Sequence, residues 1–401
     1  MARHGALRSS EIDREIDCYI DNDGFILSES DDEIGSNHVE EEWRIDGDEE
    51  FSDDNKMQAD SLCLGCRAPA SDMKEHPLLL GSLCTFCVMT ASQSSRIWAE
   101  QQVSVPLQDG QKPALRVLSL FDGISSALVV LKKLHIEVEV YLASEIDEHA
   151  IIVSKRNHGD DVTNIGSVEG IIRQTIEQYQ PIHLIIGGSP CNELSKVNHK
   201  RKGIFDMDGT GPLFFEFSRI KNLVECVQKT QAFFLYENVS TMATLHKDTI
   251  SRYVEIEPIC VDSQNVSAMK RARLFWGNIP GMAQVPQRLE RASCSTSLQD
   301  HLTPNLEREA CVDKVRTVTT NRNSLTKSDG TSQVTMKGQD STLTVNEIEK
   351  MFGFPEHYTD VMNFNANIRQ KLLGKAWSVE VVSALLEPLT QYFRVSEVVE
   401  E

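Results

Sequence analysis

The residue best placed to do chemistry is a cysteine at the end of a predicted buried strand. Residues 183–186 have a buried strand's composition, Gly187 and Gly188 signal a turn, and Pro190 precedes Cys191. Because proline fixes its φ angle and has no amide hydrogen, the thiol is predicted to lie on a rigid loop outside the strand pairing. Open α/β sheets place ligands at the carboxyl ends of their strands. Cys191 is therefore a candidate nucleophile, with an inert buried thiol as the alternative.

A carboxylate and two arginines are predicted to share that edge of the sheet. Residues 232–236 form another apolar stretch, and Glu237 follows directly. Arg271 and Arg273 are two positions apart, so in an extended segment they project from one face and can grip one anion. With Cys191 they place a nucleophile, an acid and two cations on one rim.

An earlier segment has the pattern of a nucleotide-type cofactor site. An apolar strand is predicted at 115–121, a glycine-containing turn at 122–126 and a helix at 127–134. The next strand, 138–144, ends in Glu145, whose carboxylate can accept hydrogen bonds from two ribose hydroxyls. Strands and helices continue to alternate, so the fold class is predicted to be α/β, with a doubly wound, mostly parallel sheet. Folds of many functions share this pattern.

Four cysteines upstream have the spacing of a structural zinc site. Cys63 and Cys66 form one CxxC pair, Cys84 and Cys87 form another, and 17 residues separate the pairs. Four thiolates at this spacing bind Zn²⁺ tetrahedrally. Residues 61–90 are therefore predicted to be a small zinc knuckle, with a finger that no longer closes on metal as the alternative.

Charge and composition divide the chain into segments. The net charge is −20, and residues 1–60 carry 20 acidic and 5 basic side chains, so the rest of the chain has a net charge of only −5. The acidic segment is predicted to be disordered, 91–113 to be a linker and 114–395 to be the catalytic domain. Within that domain, residues 284–345 lose the strand–helix alternation and are predicted to be an inserted recognition region. The overall charge neither supports nor excludes a nucleic-acid partner.

The cellular compartment is predicted from cysteine content and hydropathy. The chain has 10 cysteines and no secretory signal pattern, which predicts a reducing, intracellular compartment. No apolar run approaches the roughly 18 residues that a membrane span requires, so no membrane partner is expected.

Five short blocks resemble the DNA cytosine carbon-5 methyltransferases, and most closely the animal de novo branch of that family. The blocks are FDG at 121–123, SPCN at 189–192, ENV at 237–239, RARLFWGN at 271–278 and FGFPEHYTD at 352–360. The resemblance runs from residue 63 to residue 393 and implies a Rossmann-like, S-adenosylmethionine-dependent methyltransferase fold in a nuclear protein. The cysteine pairs resemble the first finger of that branch's histone-reading, ADD-type domain, whose further cysteines are absent. A histone tail is thus an implied but doubtful partner.

The resemblance also implies a reaction. S-adenosylmethionine would supply the methyl group, and the substrate would be double-stranded DNA with the target cytosine flipped out of the helix. Cys191 would add to carbon 6 of the base, which makes carbon 5 nucleophilic. Glu237 would hydrogen-bond ring nitrogen 3 and the exocyclic amine. Arg271 and Arg273 would position the base and lower the pKa of the thiol.

Further roles follow from the same resemblance. Val197 would enter the DNA, and Asn321 stands where the family has a guanine-reading arginine, with Arg322 one place later, so CpG preference is open. Three residues match self-association surfaces and imply a homo- or hetero-oligomer with a related methyltransferase: Asp360, Arg369 and Phe215. The implied cofactor-binding residues are Phe121, Asp122, Gly123, Ile124, Ser125, Ser126, Glu145, Ile146, Ser167, Val168, Leu213, Lys375, Ala376 and Trp377.

Several positions around the predicted cofactor pocket depart from the family pattern. Ala127 replaces a glycine, Ser167 an aspartate that reads the adenine amine, Pro212 an arginine, and Lys375 and Ala376 an Arg-Ser pair. Each lost hydrogen bond costs about 1–3 kcal/mol. The favoured hypothesis is a de novo DNA cytosine-5 methyltransferase with weakened cofactor binding. The alternatives are an accessory subunit that binds an active methyltransferase and chromatin, and a tRNA cytosine methyltransferase of the same fold.

Overall fold

The computed structural model describes most of the chain from residue 103 onward. It describes the backbone of 73–75, 82–84 and 322–323, and the whole of 103, 105–108, 110–292, 296–304, 306–321, 324–325 and 332–396. Two short strands, β1 (Met73–Glu75) and β2 (Ser82–Cys84), pair antiparallel. The predicted acidic segment lies outside the described residues, and so do the predicted zinc ligands apart from the backbone of Cys84. Both remain predictions.

A seven-stranded sheet forms the centre of the described domain. Its strands are β3 (Leu115–Leu120), β4 (Val138–Ser144), β5 (Thr163–Asn164), β6 (Leu184–Gly187), β7 (Phe233–Val239), β8 (Ile259–Asp262) and β9 (Ala272–Gly277). Their spatial order is β5-β4-β3-β6-β7-β9-β8. Neighbouring strands are parallel except that β9 runs antiparallel to both β7 and β8. Chain order reverses between β3 and β6, so their carboxyl ends border the crevice where such sheets bind ligands.

Helices cover both faces of this sheet because both faces are apolar. Along β3, Leu115 and Val117 belong to one buried cluster, and Leu118 and Leu120 belong to the other. The helices are α1 (Ser126–Lys133), α2 (Glu148–His158), α3 (Arg173–Tyr179), α4 (Leu213–Gln228), α5 (Thr244–Val254), α6 (Val285–Arg291), α7 (Val345–Phe352), α8 (Ala366–Lys375) and α9 (Val379–Leu386). Helices α1 and α9 pack together on the first face, and α3 and α4 pack together on the second. The doubly wound, mostly parallel α/β fold is confirmed.

The predicted recognition region has a small sheet of its own. Strands β10 (Arg308–Ala310), β11 (Val334–Met336) and β12 (Gln339–Ser341) form an antiparallel sheet in that order. Arg308 donates from Nη2 to Oε2 of Glu347 on α7 at 2.9 Å, and both side chains are almost fully buried. This ion pair ties the small sheet to the main domain. No helix in the described part of the chain is long and apolar enough to cross a bilayer.

Candidate active site

The loop that carries Cys191 approaches β7 closely. At Gly188, a Cβ atom would lie 2.9 Å from the carbonyl oxygen of Glu237 and 2.9 Å from its Oε2 atom. Because both distances are shorter than any real Cβ contact, only glycine permits this approach. The turn after β6 therefore brings Cys191 and Glu237 to the same edge of the sheet, as the sequence predicts.

A buried polar network supports the same loop. The Ser189 hydroxyl lies 2.7 Å from the Tyr236 hydroxyl, and Asn238 donates from Nδ2 to the Ser189 carbonyl oxygen at 3.3 Å and to the Tyr236 hydroxyl at 3.1 Å. These three residues were missed as site residues. The ENV block could have indicated Asn238, because that residue follows Glu237 directly.

Glu237 is held by two donors from distant parts of the chain. The Oε1 atom lies 3.0 Å from Nε of Arg273, and Oε2 accepts a hydrogen bond from Nε1 of Trp377 at 3.0 Å. Each carboxylate oxygen keeps a lone pair for a ligand. The sequence predicts that Glu237 follows directly after its strand, but the structure places it inside the strand. It lies within β7, because pairing with β9 extends β7 to Val239.

Arg271 and Arg273 contact different partners, and their predicted shared grip on one anion stays a prediction. The side chain of Arg271 is buried, and its guanidinium donates to the carbonyl oxygens of Val318, Gly374 and Ala376 at 3.0, 3.1 and 2.8 Å. Burial lowers the pKa of Arg271 to about 9. With these donors already engaged, Arg271 acts on the site by holding the surrounding backbone.

The pKa of Cys191 also differs from the prediction. Burial of the thiol is the largest effect and raises its pKa above the ordinary value. Arg273 and Arg271 oppose the shift, while the carboxylate of Glu237 reinforces it. The arginines therefore limit the rise in pKa but do not produce a net decrease.

The predicted cofactor loop has an unusual backbone. Phe121, Gly123 and Ser125 have φ angles of 55°, 60° and 58°. The Asp122 carboxylate accepts from the Tyr141 hydroxyl at 2.6 Å and from the Ser125 hydroxyl at 2.6 Å. Burial raises the pKa of Asp122 to about 6, although these hydroxyl hydrogen bonds act in the opposite direction. The buried carboxyl group of Asp122 therefore fixes the conformation of the loop by joining it to Tyr141 on β4.

Glu145 connects that loop to the end of β4. Its Oε2 atom accepts from the Gly123 amide at 2.8 Å, and its Oε1 atom accepts from the amides of Ile146 and Asp147, each at 2.8 Å. Lys375, from the end of α8, forms a 2.9 Å ion pair with Asp147. A solvent-open cavity of about 210 Å³ lies here, and its lining includes Asp122, Gly123, Glu145 and Asn164. It combines backbone amides, a carboxylate and open space.

The other predicted cofactor residues differ in how far their side chains are exposed. Ile124, Ser126 and Ala376 have buried side chains, so only their backbone atoms can face a ligand, and their role in cofactor binding stays a prediction. In contrast, Ile146 is 72% exposed on the rim. The residues near the second face are buried Val168, partly buried Phe121 and Leu213, and Ser167, whose hydroxyl accepts from the Glu169 amide at 3.3 Å.

The predicted DNA-binding residues lie on exposed loops. Val197 is 74% exposed on the loop after Cys191, and Asn321 is also exposed. Arg322 begins a short 3-10 turn, but its side chain lies outside the described part of the chain.

One residue predicted to mediate self-association is engaged inside the domain. Arg369 is 9% exposed and donates to Glu349, Asn346 and Thr359. Its side chain is thus unavailable for a subunit contact in this arrangement.

Comparison with known sequences identifies the family of the central segment. Residues 115–256 match the family described as C-5 cytosine-specific DNA methylase. The chain is 36% identical over 126 residues to the orphan methyltransferase M.SPRI of Bacillus phage SPR, an alignment that covers 31% of this chain and 26% of the phage protein. It is 31% identical over 119 residues to the DNA (cytosine-5)-methyltransferase DRM2 of Arabidopsis thaliana, covering 27% of this chain and 19% of the plant protein. The alignments thus span about a quarter or less of these two relatives.

Solved structures share the fold. The Schizosaccharomyces pombe Dnmt2 methyltransferase superposes with a TM-score of 0.50 at 17% identity, covering 69% of this chain and 98% of that chain. The Entamoeba histolytica methyltransferase EhMeth gives a TM-score of 0.55 at 14% identity, covering 70% and 99%. Residues 115–256 are therefore similar to the C-5 cytosine-specific DNA methylases, and the solved structures share the Rossmann-like α/β fold. The assignments to the animal de novo branch and to an ADD-type zinc finger remain predictions.

Proposed function

We propose that this chain methylates carbon 5 of cytosine in DNA, de novo, through a covalent adduct at Cys191. The observation that supports this most directly is the arrangement of Cys191, Glu237 and Arg273 at one sheet edge, with Trp377 donating to Glu237. These four residues lie far apart in sequence, so their assembly requires the fold. Cys191 and Glu237 fall within the methylase match.

The residues at the cofactor edge fit S-adenosylmethionine. A Cβ atom placed on Gly123 would meet nothing within 4 Å, so a ligand can approach the backbone there. The carboxylate of Glu145 lies beside it and can accept ribose hydroxyls, as in other nucleotide-type sites. S-adenosylmethionine, when bound, supplies an electrophilic methyl group. The loop from Phe121 to Ser125, with Glu145, would hold it.

The chain's own residues prepare the base for methylation. The Cys191 thiolate adds to carbon 6, which removes the aromaticity of the ring and makes carbon 5 nucleophilic. Glu237, whose oxygens are fixed by Arg273 and Trp377, can accept a hydrogen bond from the exocyclic amine. Ring nitrogen 3 carries no hydrogen in cytosine, so its hydrogen bond to Glu237 requires a proton between the two, and that proton neutralises the charge that thiolate addition places on the ring. When carbon 5 carries the methyl group, a water molecule acting as base takes the carbon 5 proton. The electron pair of that C–H bond re-forms the carbon 5–carbon 6 double bond, and Cys191 leaves carbon 6 as the thiolate.

Formation of the thiolate is an energetic demand that this arrangement must meet. Since burial raises the pKa of Cys191, the thiol is mainly protonated at neutral pH. The positive charge of Arg273 is the largest opposing effect. The proposed reaction therefore requires that Cys191 lose its proton before the sulfur adds to carbon 6.

One observation favours an accessory subunit as a second candidate. The Ser167 hydroxyl accepts a hydrogen bond from its own turn, and Ser167 supplies no carboxylate for the adenine amine. Loss of that acceptor would cost about 1–3 kcal/mol of cofactor affinity. Such a subunit would bind DNA and a related methyltransferase without appreciable turnover.

The deciding experiment is transfer of labelled methyl from S-adenosylmethionine to unmethylated and hemimethylated duplex DNA and to tRNA. Cys191→Ala should abolish transfer, while Cys311→Ala, at an exposed cysteine, should leave it unchanged. Equal rates on the two duplexes would support the de novo role. Transfer only to tRNA, or none together with undetectable cofactor binding by calorimetry, would contradict the proposal.

A further inference from the structure

The loop from Val318 to Asn321 is held against the end of α8 by contacts that the sequence motifs do not reveal. We infer that Gly374, Arg271 and Gln370 form a clamp that positions this loop and thereby sets how strictly the base beside the target cytosine is selected. The inference rests on the proposed function, in which Asn321 occupies the predicted base-reading position. The three clamp residues are positioning residues, since they act through the loop.

Gly374 provides the closest contact of the clamp. A Cβ atom there would lie 2.5 Å from the carbonyl carbon of Thr319 and 2.6 Å from the amide nitrogen of Thr320. Both neighbours are backbone atoms, which cannot rotate away as a flexible side chain can. Glycine is a poor helix former, so its place near the end of α8 has a packing reason. Any larger residue must displace the loop.

Arg271 and Gln370 complete the clamp with hydrogen bonds to carbonyl oxygens. The guanidinium of Arg271 joins the Val318 carbonyl to those of Gly374 and Ala376, and it lies 5.1 Å from the centre of the Phe352 ring. Gln370 donates from Nε2 to the Asn321 carbonyl oxygen at 3.2 Å. The loop is therefore held at both of its ends and in its middle.

The same segment of α8 leads directly to the catalytic carboxylate. Three residues after Gly374, the indole of Trp377 donates to Glu237. Between them, Lys375 pairs with Asp147 at the cofactor rim. A base that does not fit would push the loop against Gly374 and would thereby also move Trp377. The hydrogen bond from Trp377 to Glu237 would then be disturbed, and methyl transfer at that DNA site would be slower. The clamp links selection of the neighbouring base to the rate of methyl transfer.

Gly374→Ala is the sharpest test, with kcat/KM measured on four duplexes that differ only in the base after the target cytosine. We expect the ratio between the best and the worst duplex to fall by about fivefold or more, the lower end of what one base contact contributes. Gln370→Met, which removes the contact to Asn321 without changing side-chain length, should give a smaller decrease. Affinity for S-adenosylmethionine should be unchanged in Gln370→Met. Lys371→Ala, at an exposed position on the same helix, is the matched control and should retain the full ratio.

Amide hydrogen exchange of the full chain tests the clamp without relying on activity. Gly374→Ala should accelerate exchange at residues 319–321, and Lys371→Ala should not. Unchanged exchange in Gly374→Ala, an unchanged base ratio, or a wild-type chain that shows no preference among the four duplexes would overturn the inference. A wild-type chain that methylates no DNA would instead overturn the proposed function, and the exchange result would still decide whether the clamp exists.

Discussion

The proposed catalytic edge of the sheet, at Cys191 and Glu237, and the proposed cofactor edge, at Gly123 and Glu145, are held together in different ways. At the catalytic edge, side chains from distant segments contact each other, as in the hydrogen bond from Trp377 to Glu237, 140 positions apart. At the cofactor edge, three backbone amides donate to one carboxylate, as in the bond from the Gly123 amide to Glu145, 22 positions apart.

This difference explains where the sequence could change without loss of the fold. Backbone amides are present whatever the side chain, so the cofactor loop can keep its shape while residues around it change. Ser167 and Lys375 illustrate this, since the Ser167 hydroxyl accepts from the Glu169 amide in its own turn and Lys375 pairs with Asp147. Catalytic side chains have no such freedom, because their contacts depend on the functional groups themselves. We therefore expect chemistry and cofactor affinity to respond separately to mutation.

Glu237→Gln should produce the largest effect at the catalytic edge. Glutamine can still accept from Trp377, but it loses the charge that pairs with Arg273 and that stabilises the bound base. We expect the rate of methyl transfer to fall by about 10²–10³-fold, with cofactor affinity unchanged. Single-turnover kinetics and calorimetry on the same preparation measure the two quantities. A matching loss of cofactor affinity would show that the two edges are not separable.

Asp122→Asn tests the cofactor edge through stability. The pKa of Asp122 is raised from 3.8 to about 6 in the folded chain, so the folded state binds this proton more tightly than the unfolded state. The resulting stabilisation is present in full below pH 3.8 and is lost as the pH rises through 6, a change of about 2–3 kcal/mol.

Urea denaturation of both proteins at pH 4 and pH 7 measures that change. The unfolding free energy of wild type minus that of Asp122→Asn should be larger at pH 4. A difference independent of pH would mean that Asp122 ionises normally in the folded chain.

Ser167→Asp should increase the affinity of the cofactor edge for S-adenosylmethionine. An aspartate would restore a carboxylate acceptor for the adenine amine, and a hydrogen bond to a charged group contributes about 1.5–3 kcal/mol. We expect the dissociation constant for S-adenosylmethionine to decrease by about tenfold or more, while the rate at saturating cofactor stays the same. Calorimetry measures the dissociation constant of each protein. Equal affinities of wild type and Ser167→Asp would show that Ser167 lies away from the adenine.

The pH dependence of transfer should report on Cys191 at the catalytic edge. Because burial raises the pKa of the thiol above its ordinary value, the thiolate fraction increases with pH throughout the neutral range. The single-turnover rate should rise by close to, and not more than, about tenfold per pH unit between pH 7 and pH 8. A plateau that begins below pH 7 would indicate a thiol that is already ionised.

Several features of the fold could be predicted because they depend on local sequence. Strand β4 begins and ends at the predicted residues, and helix α1 is displaced by only one residue from the prediction. Strand β3, predicted at 115–121, ends one residue early at Leu120, because Phe121 adopts a positive φ angle that strand pairing does not allow. Apolar runs and glycine turns specify such elements without reference to the rest of the chain.

The roles of the two arginines show what local pattern could not supply. Spacing alone places Arg271 and Arg273 on one face, and nothing in the sequence separates them. Only the folded chain brings the carbonyls of Val318, Gly374 and Ala376 around Arg271 and leaves Arg273 to pair with Glu237. Burial of Cys191, which reverses the predicted direction of its pKa shift, likewise depends on neighbours from several elements.

The sequence by itself determined the order of strands and helices, and it was sufficient to predict that Cys191 and Glu237 lie at one edge of the sheet. These follow from apolar periodicity, turn residues and functional groups, which are properties of short segments. The tertiary structure decided the partner of each charged group, the pKa of each buried one and the contact of Gly374 with the loop at Thr319. Hydrogen bonding and desolvation depend on atoms brought together from distant segments, and their distances are set only when the chain is folded.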